Sequence, residues 1–162
     1  TPEEILTEPA NDYVERFVEN VGRGRIITAS SIMKTKPVVA RLKKEGPEAI
    51  IRKMREKNLF VLPVVGTDGQ FLGEVSLKDV VNLRKQGIKE IDSVVTSEVP
   101  SVLESTTVED MLTLLPKIKQ VIPVVSDSNK LLGVVSPSSI IIEMTGKDQN
   151  EINQIIQNAI DL

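Results

Sequence analysis

Residues 61–80 read VLPVVGTDGQFLGEVSLKDV, and residues 121–140 repeat this pattern as VIPVVSDSNKLLGVVSPSSI. The matching residues lie 60 positions apart and need no gap, as in Pro63 and Pro123, Gly73 and Gly133, Ser76 and Ser136. Self-similarity at a fixed period is the signature of a repeated structural unit. The chain is therefore built on two copies of one unit.

Each copy predicts a strand, a hairpin turn, a second strand and a helix. Runs rich in Val, Ile and Leu favour strands, and the turns Thr67-Asp68-Gly69 and Asp127-Ser128-Asn129 supply Gly or Asn for positive φ. Ser76 and Ser136 are placed to cap the following helices. The proline of each copy has no amide hydrogen to donate, so we expect it at the start of a strand or on a sheet edge.

The flanking residues extend each copy at its amino-terminal side. A helix from Pro47 to about Asn58 precedes the strand at 60–65. A helix from Thr106 or Thr107, which Pro116 should kink or shorten, precedes the strand at 121–125. A short extended stretch is predicted around 37–40, and the other predicted elements are strands at 60–65, 71–75, 121–125 and 131–135 and helices at 77–86 and 137–144.

Composition bounds the class of protein. The chain has 162 residues, of which 40% are hydrophobic but only 2% aromatic, so a core must be made of Val, Ile and Leu. Cys and His are both absent, which excludes disulfides, thiol nucleophiles, Cys/His zinc sites and histidine acid-base catalysis. No phosphate-binding loop of the Walker type and no activated Ser nucleophile is present. We therefore predict a fragment that is not an enzyme and holds no metal or cofactor.

The pattern apolar-apolar-Pro-Val-Val, turn, apolar-Gly-x-x-Ser-x-x-Asp resembles the core signature of CBS domains, and two in tandem resemble a CBS pair, or Bateman module. The resemblance covers about residues 28–145. It implies an α/β (α+β) fold of two β-α-β-β-α repeats, at 28–90 and 91–146, packed about a pseudo-two-fold axis. An amphipathic helix is expected at 147–162, either folded back on the core or packed on a partner chain.

Residues 1–27 carry a second resemblance. Tyr13, Val14, Phe17, Val18 and Val21 fall on one face of a predicted linker helix. The sequence of residues 2–18, PEEILTEPANDYVERFV, resembles the end of the nucleotide-binding domain in ATPase subunits of osmoprotectant ABC importers, such as those for glycine betaine. This resemblance implies a fragment of a longer ATPase subunit, with a membrane subunit as partner and a location at the cytoplasmic face of the cell membrane.

CBS pairs bind adenine nucleotides between their repeats in many members. Apolar strand ends suit a purine, and a helix N-terminus favours phosphate. Asp79 stands at the position of the family's ribose-binding Asp, whereas repeat two has Ser139 there. That pattern leaves an AMP or ATP regulator open. The osmoprotectant resemblance instead implies cyclic di-AMP at the interface of a CBS homodimer, which would inhibit transport. The candidate ligand-binding residues are Val39, Val61, Val121, Val134, Ser136, Ser76 and Asp79.

Charge suggests a third function. Nine of the chain's 20 basic residues lie between positions 34 and 57, although the net charge of the chain is −3. This basic segment comprises Lys34, Lys36, Arg41, Lys43, Lys44, Arg52, Lys53, Arg55 and Lys57. It could contact an anionic membrane surface in a salt-dependent way and thereby sense ionic strength, or serve a dimerisation module without a nucleotide ligand. Nucleic acid is not expected, because interleaved aromatic residues are missing.

Overall fold

The structure is a computed structural model that describes residues 22, 24–146 and 149–160. The linker helix predicted for the amino-terminal region, and the segment that resembles importer ATPase subunits, therefore lie almost wholly outside the described residues. The first half contains α1 (Ala29–Ile32), β1 (Ala40–Arg41), α2 (Pro47–Glu56), β2 (Val61–Val65), β3 (Phe71–Ser76) and α3 (Leu77–Lys85).

The second half repeats this order. It contains a 3-10 turn (Asp92–Val94), β4 (Val102–Leu103), α4 (Val108–Leu112), a second 3-10 turn (Leu115–Lys117), β5 (Ile122–Val125), β6 (Leu131–Val135), α5 (Pro137–Thr145) and α6 (Gln149–Ile160). The strands form two three-stranded sheets, in the orders β1-β2-β3 and β4-β5-β6. In each sheet the first strand is parallel to the second, and the second is antiparallel to the third. The predicted α/β class and β-α-β-β-α repeats are confirmed.

The hairpin turns and helix caps form as their residues predict. Gly69 and Asn129 have positive φ values of 85° and 64°. The hydroxyl of Ser76 accepts a hydrogen bond from the backbone N–H of Asp79 at 3.2 Å, and Ser136 caps α5 in the same way. In the second repeat Thr107 caps α4, which ends at Leu112, and Pro116 lies within the following 3-10 turn. Pro116 shortens this helix because its ring would clash with the carbonyl of Leu112.

The expectation for the repeated proline was wrong. Pro63 lies in the middle of β2, which is the central strand of its sheet. It faces Glu74 on β3, whose backbone N–H and C=O both bond to Thr96 on the other side. The missing N–H of Pro63 therefore points away from β3, toward β1, whose pairing begins only at Val64. A central strand tolerates proline here because its neighbour is too short to need that donor.

Two hydrophobic cores exchange their leading segments. The first core, around Ile50 and Leu62, also contains Ile91 from the link between the repeats. The second core, around Ile122 and Ile140, contains Ala29, which precedes the first repeat's own strands. The first core is thus completed by a residue from the link between the repeats, and the second core by a residue from the start of the first repeat. The domain boundaries proposed at 27/28, 90/91 and 146/147 stay a prediction.

The two hairpin turns join the repeats by a symmetric pair of hydrogen bonds. The backbone N–H of Phe71 donates to the carbonyl of Asn129 at 2.9 Å, and that of Leu131 donates to the carbonyl of Gly69 at 3.1 Å. Adding 60 to one member of each bond and subtracting 60 from the other converts the first bond into the second. This is the relation that a pseudo-two-fold axis between the repeats requires.

The carboxy-terminal helix α6 confirms the helical prediction for the tail. Ile160 is 70% exposed, and the side chains of Ile152, Ile155 and Ile156 lie outside the described residues. Whether α6 packs on a partner chain remains a prediction. None of the helices in the described part of the chain combines the length and the apolar character that a membrane crossing requires.

Candidate ligand-binding cleft

A cavity of about 310 Å³ lies between the two repeats, and we call it the first cleft. Both repeats contribute to it, through the starts of their central strands and the residues just before them. Its apolar lining consists of Ile32, Pro37, Val38, Leu59, Val61, Leu62, Pro63, Val121 and Val134. Its polar lining consists of Lys34, Gln120, Ser136 and Ser139. The first cleft is thus an apolar slot with a few polar groups and no carboxylate.

The polar groups gather at the N-terminus of α5. The Ser136 hydroxyl accepts a hydrogen bond from the backbone N–H of Ser139 at 3.2 Å, and the two hydroxyls lie 2.8 Å apart. Lys34 joins them because its backbone N–H and C=O pair with Val134 at 2.8 and 3.1 Å. A helix N-terminus and a lysine beside an apolar slot suit an apolar ring that carries a phosphate.

Gln120 supports the wall of the cleft. Its side-chain oxygen accepts hydrogen bonds from the backbone N–H groups of Phe60 and Val61, both at 3.0 Å. The two repeats are therefore bonded to each other where their central strands begin. Sequence reasoning missed this residue, although its position 60 residues after Phe60 places it beside the pseudo-two-fold axis.

The structure brings together four of the seven predicted ligand-binding residues. Val61, Val121, Val134 and Ser136 all line the first cleft. Val39 is buried and does not line it; its neighbour Val38 does. A ligand contact of Val39 therefore stays a prediction that this cavity does not support.

Ser76 and Asp79 lie elsewhere, at the N-terminus of α3. Ser76 lines an open depression of about 510 Å³ together with Phe60, Leu77, Lys78, Val81, Asn82 and Lys85. Asp79 is half-buried and lines neither this depression nor the first cleft. The two residues therefore do not join Val61, Val121, Val134 and Ser136 in the first cleft.

The basic segment is spread over several surfaces. All nine side chains except Lys53 are exposed. The Lys53 ammonium lies 2.7 Å from a Glu45 carboxylate oxygen and also donates to the carbonyl of Val39. Lys34 turns to the first cleft, while Arg52 and Arg55 lie beside Arg84 in a shallow depression that also contains Glu48 and Glu56.

Three side chains in two ion pairs, Lys43, Asp92 and Glu74, have shifted pKa values. Lys43 lies 2.7 Å from Asp92, and their hydrogen bond raises the pKa of the Lys43 ammonium and lowers that of the Asp92 carboxyl. Glu74 lies 3.8 Å from Lys119 and is only 13% exposed. Burial raises the pKa of the Glu74 carboxyl, and the charge of Lys119 opposes that rise.

In the described part of the chain, no three acidic side chains gather into a group that could hold a metal ion.

The sequence profile of the CBS domain matches residues 29–85 and 88–146. The chain belongs to the CBS domain family. This CBS pair is similar to the glycine betaine/carnitine transport ATP-binding protein GbuA of Listeria monocytogenes serotype 1/2a, with 31% identity over 154 residues. The match covers 94% of this chain but only 37% of GbuA, so the chain spans little more than a third of that relative's length.

Solved structures of other CBS pairs share the fold. Staphylococcus aureus OpuCA superposes with a TM-score of 0.60 at 19% identity, covering 68% of this chain and 93% of the other. CBSX2, solved in complex with AMP, superposes with a TM-score of 0.61 at 22% identity, covering 71% and 93%. The predicted family is thus confirmed, as is the similarity to ATP-binding subunits of osmoprotectant importers.

Proposed function

We propose that this CBS pair is the regulatory ligand-sensing part of the ATP-binding subunit of an osmoprotectant importer of the glycine betaine type. The similarity to GbuA, which extends over 94% of this chain, supports this assignment. In this role it acts at the cytoplasmic face of the cell membrane, bound through its ATPase to the membrane subunit. It performs no catalysis of its own, because it carries neither a Walker loop nor an activated nucleophile.

The proposed ligand is cyclic di-AMP, held between two copies of the chain. The observation that carries this proposal is the first cleft, which has valine walls, two serines at a helix N-terminus and no carboxylate. Its volume of about 310 Å³ is near the lower end of the range for ligand sites, roughly 300–1,000 Å³. One cleft suits one adenylate unit, so a dinucleotide with two adenines calls for two chains.

The absence of a carboxylate favours the dinucleotide over AMP or ATP. Asp79, the candidate partner of a ribose diol, does not line the first cleft, and Ser139 occupies the matching position there. A cyclic dinucleotide has its 3′ oxygens esterified and presents no free ribose diol. Binding between two subunits inhibits transport if the ligand binds the inhibited arrangement of the dimer more tightly than the active one.

The test is isothermal titration of the purified chain with cyclic di-AMP, with AMP and ATP as competing candidates, at low and high salt. We expect saturable binding of about one cyclic di-AMP per two chains. The Val121→Phe variant fills the first cleft and should weaken binding at least about tenfold. Val81→Phe, the same change in the separate depression beside α3, is the matched control and should bind as the parent does. Binding of AMP or ATP alone would contradict the proposal.

A second candidate function is salt-dependent contact with an anionic membrane. The exposure of eight of the nine side chains in the basic segment favours it. Each basic residue near an anionic surface contributes about 1 kcal/mol, and salt screens that attraction. Sedimentation with phosphatidylglycerol vesicles should show binding that falls with salt and is lost in a variant with Arg52, Arg55 and Lys57 changed to Gln. Equal binding to neutral phosphatidylcholine vesicles would rule out this function.

A further inference from the structure

The pseudo-two-fold relation gives the first cleft a counterpart on the other side of the axis. Shifting residue numbers by 60 carries Leu59 to Lys119, Val134 to Glu74 and Ser139 to Asp79. We call the surface around Glu74, Lys119 and Asp79 the mirror cleft. Comparing the two clefts shows which features come from the repeated backbone and which from individual side chains.

The backbone of the two clefts is alike. In the first cleft Val134 exchanges two backbone hydrogen bonds with Lys34, and in the mirror cleft Glu74 exchanges two with Thr96, at 3.0 and 2.9 Å. Ser136 and Ser76 cap their helices with the same 3.2 Å bond. The mirror cleft therefore retains the scaffold that forms a ligand site in the first.

Among the side chains that differ, two are apolar in the first cleft and charged in the mirror cleft. Leu59 and Val134 line the first cleft, whereas their counterparts Lys119 and Glu74 form an ion pair, with nitrogen and oxygen 3.8 Å apart. Glu74 is the inner partner at 13% exposure, and Lys119 is the outer one at 58%. Two apolar residues have thus been replaced together by two opposite charges that face each other.

We propose that the Glu74–Lys119 pair closes the mirror cleft to an adenine base, so that each chain offers one nucleotide site. The inference rests on the proposed function of the first cleft. A base entering the mirror cleft must displace Lys119 from Glu74 and cover a carboxylate that already has little water around it. Removing one partner from a buried charge is unfavourable, whereas the valine and leucine walls of the first cleft gain from covering an apolar ring.

The test exchanges the wall residues between the two clefts. The E74V/K119L variant gives the mirror cleft the two apolar wall residues that the ion pair replaces, and a second version adds D79S to match Ser139. The reciprocal L59K/V134E variant places the ion pair in the first cleft. K43L/D92V, which removes an exposed ion pair outside both clefts, is the matched control. Circular dichroism and thermal unfolding confirm that each variant is folded before titration with cyclic di-AMP and with AMP.

We expect the mirror-cleft variants to double the number of bound cyclic di-AMP molecules, from about one to about two per two chains. The reciprocal variant should bind at least about tenfold more weakly than the parent, and the control should be unchanged. If E74V/K119L and the D79S version are folded and keep the parent's stoichiometry, the inference is wrong while the proposed function stands.

Failure of the proposed function has a different result. If the parent binds neither nucleotide but the mirror-cleft variants do, the first cleft is not the site and the closing role of the ion pair is supported. If neither parent nor variants bind any nucleotide, both are overturned. Should E74V/K119L not fold, unweakened binding by a folded L59K/V134E variant contradicts the inference and a loss of binding supports it.

Discussion

At the scale of single residues, Glu74 contributes both to the fold, through its backbone, and to the charge of the mirror cleft, through its carboxylate. Its backbone holds the Thr96 segment to the sheet, while its carboxylate is largely buried and has Lys119 as its charged partner. The repeat would place an apolar residue here, as Val134 shows. Ionisation of the carboxyl at this position carries a cost, because burial disfavours the charged form and raises the pKa.

The pH dependence of stability should reveal that cost. The pKa of the Glu74 carboxyl is raised in the folded state. The resulting contribution to the stability of the fold is present below the unfolded pKa and is lost as the pH rises through the folded pKa. Glu74→Gln removes this titration. We expect the melting temperature of the variant, relative to the parent, to be higher at pH 7 than at pH 4. The measurement is thermal unfolding at both pH values, and a difference independent of pH would contradict the raised pKa.

Gln120 should matter for stability more than its exposed surroundings suggest. Its oxygen accepts two backbone hydrogen bonds from the other repeat. Gln120→Ala leaves the N–H groups of Phe60 and Val61 without that acceptor, and each such bond contributes about 0.5–1.5 kcal/mol. We expect urea unfolding to show a loss of about 1–3 kcal/mol. Gln86→Ala, at an exposed helix end, is the control and should change the unfolding free energy by less than about 0.5 kcal/mol.

At the scale of elements, the repeated glycine marks where another segment crosses β3 or β6. A Cβ on Gly73 would lie 2.1 Å from the carbonyl oxygen of Thr96, and one on Gly133 would lie 2.5 Å from that of Lys34. These are the segments that pair with the outer edge of each sheet. The glycines at the constant offset thus allow close backbone contact, and Gly73 also has a positive φ of 138°.

Gly73→Ala should therefore be severely destabilising. Its φ of 138° is unfavourable for alanine, and the added methyl group would collide with backbone atoms that cannot rotate away. We expect a loss of about 3 kcal/mol or more in the free energy of unfolding, measured with urea. Gly22→Ala, where a Cβ meets nothing within 4 Å, is the matched control. A Gly73→Ala variant as stable as the parent would show that Thr96 does not approach so closely.

The sequence predicted the elements well because their causes are local. Strand runs, turn residues and capping serines act within a few positions, and the constant offset carried each conclusion from one repeat to the other. Four residues of the first cleft were found because they sit at strand ends or at a cap. Lys34, Gln120 and the ion pair of Glu74 were not, because their roles depend on contacts between distant segments. The central position of Pro63 was missed for the same reason, since it depends on the length of β1.

At the scale of the whole molecule, the exchanged segments make the two repeats one cooperative unit. The second core includes Ala29 and packs against Ile32 and Met33, all of which precede the first repeat's strands. The first core includes Ile91 from the link between the repeats. Neither sequence repeat, cut at residue 90, therefore contains all the residues of one core.

A fragment of residues 91–162 should consequently fail to fold. It lacks Ala29 and its neighbours, and it leaves the edge of β6 without Lys34. We expect its circular dichroism to change gradually on heating, whereas the chain of residues 24–162 melts in one sharp transition. A sharp transition in the short fragment would contradict the exchange. The same fragment mixed with residues 24–90 serves as a control, because the two pieces together restore every described core residue.

The exchange also sets a path for mechanical force. Residues 27–34 are bonded to Thr106, Glu104 and Val134 of the second repeat rather than to the sheet that follows them. A pull applied at the amino-terminal side of residue 27 is therefore borne first by the hydrogen bonds that hold this segment to the second repeat. Ser136 and Ser139, which border the first cleft, lie next to the strand that takes this load. The ligand proposed for the first cleft would therefore contact the same strand that takes this load.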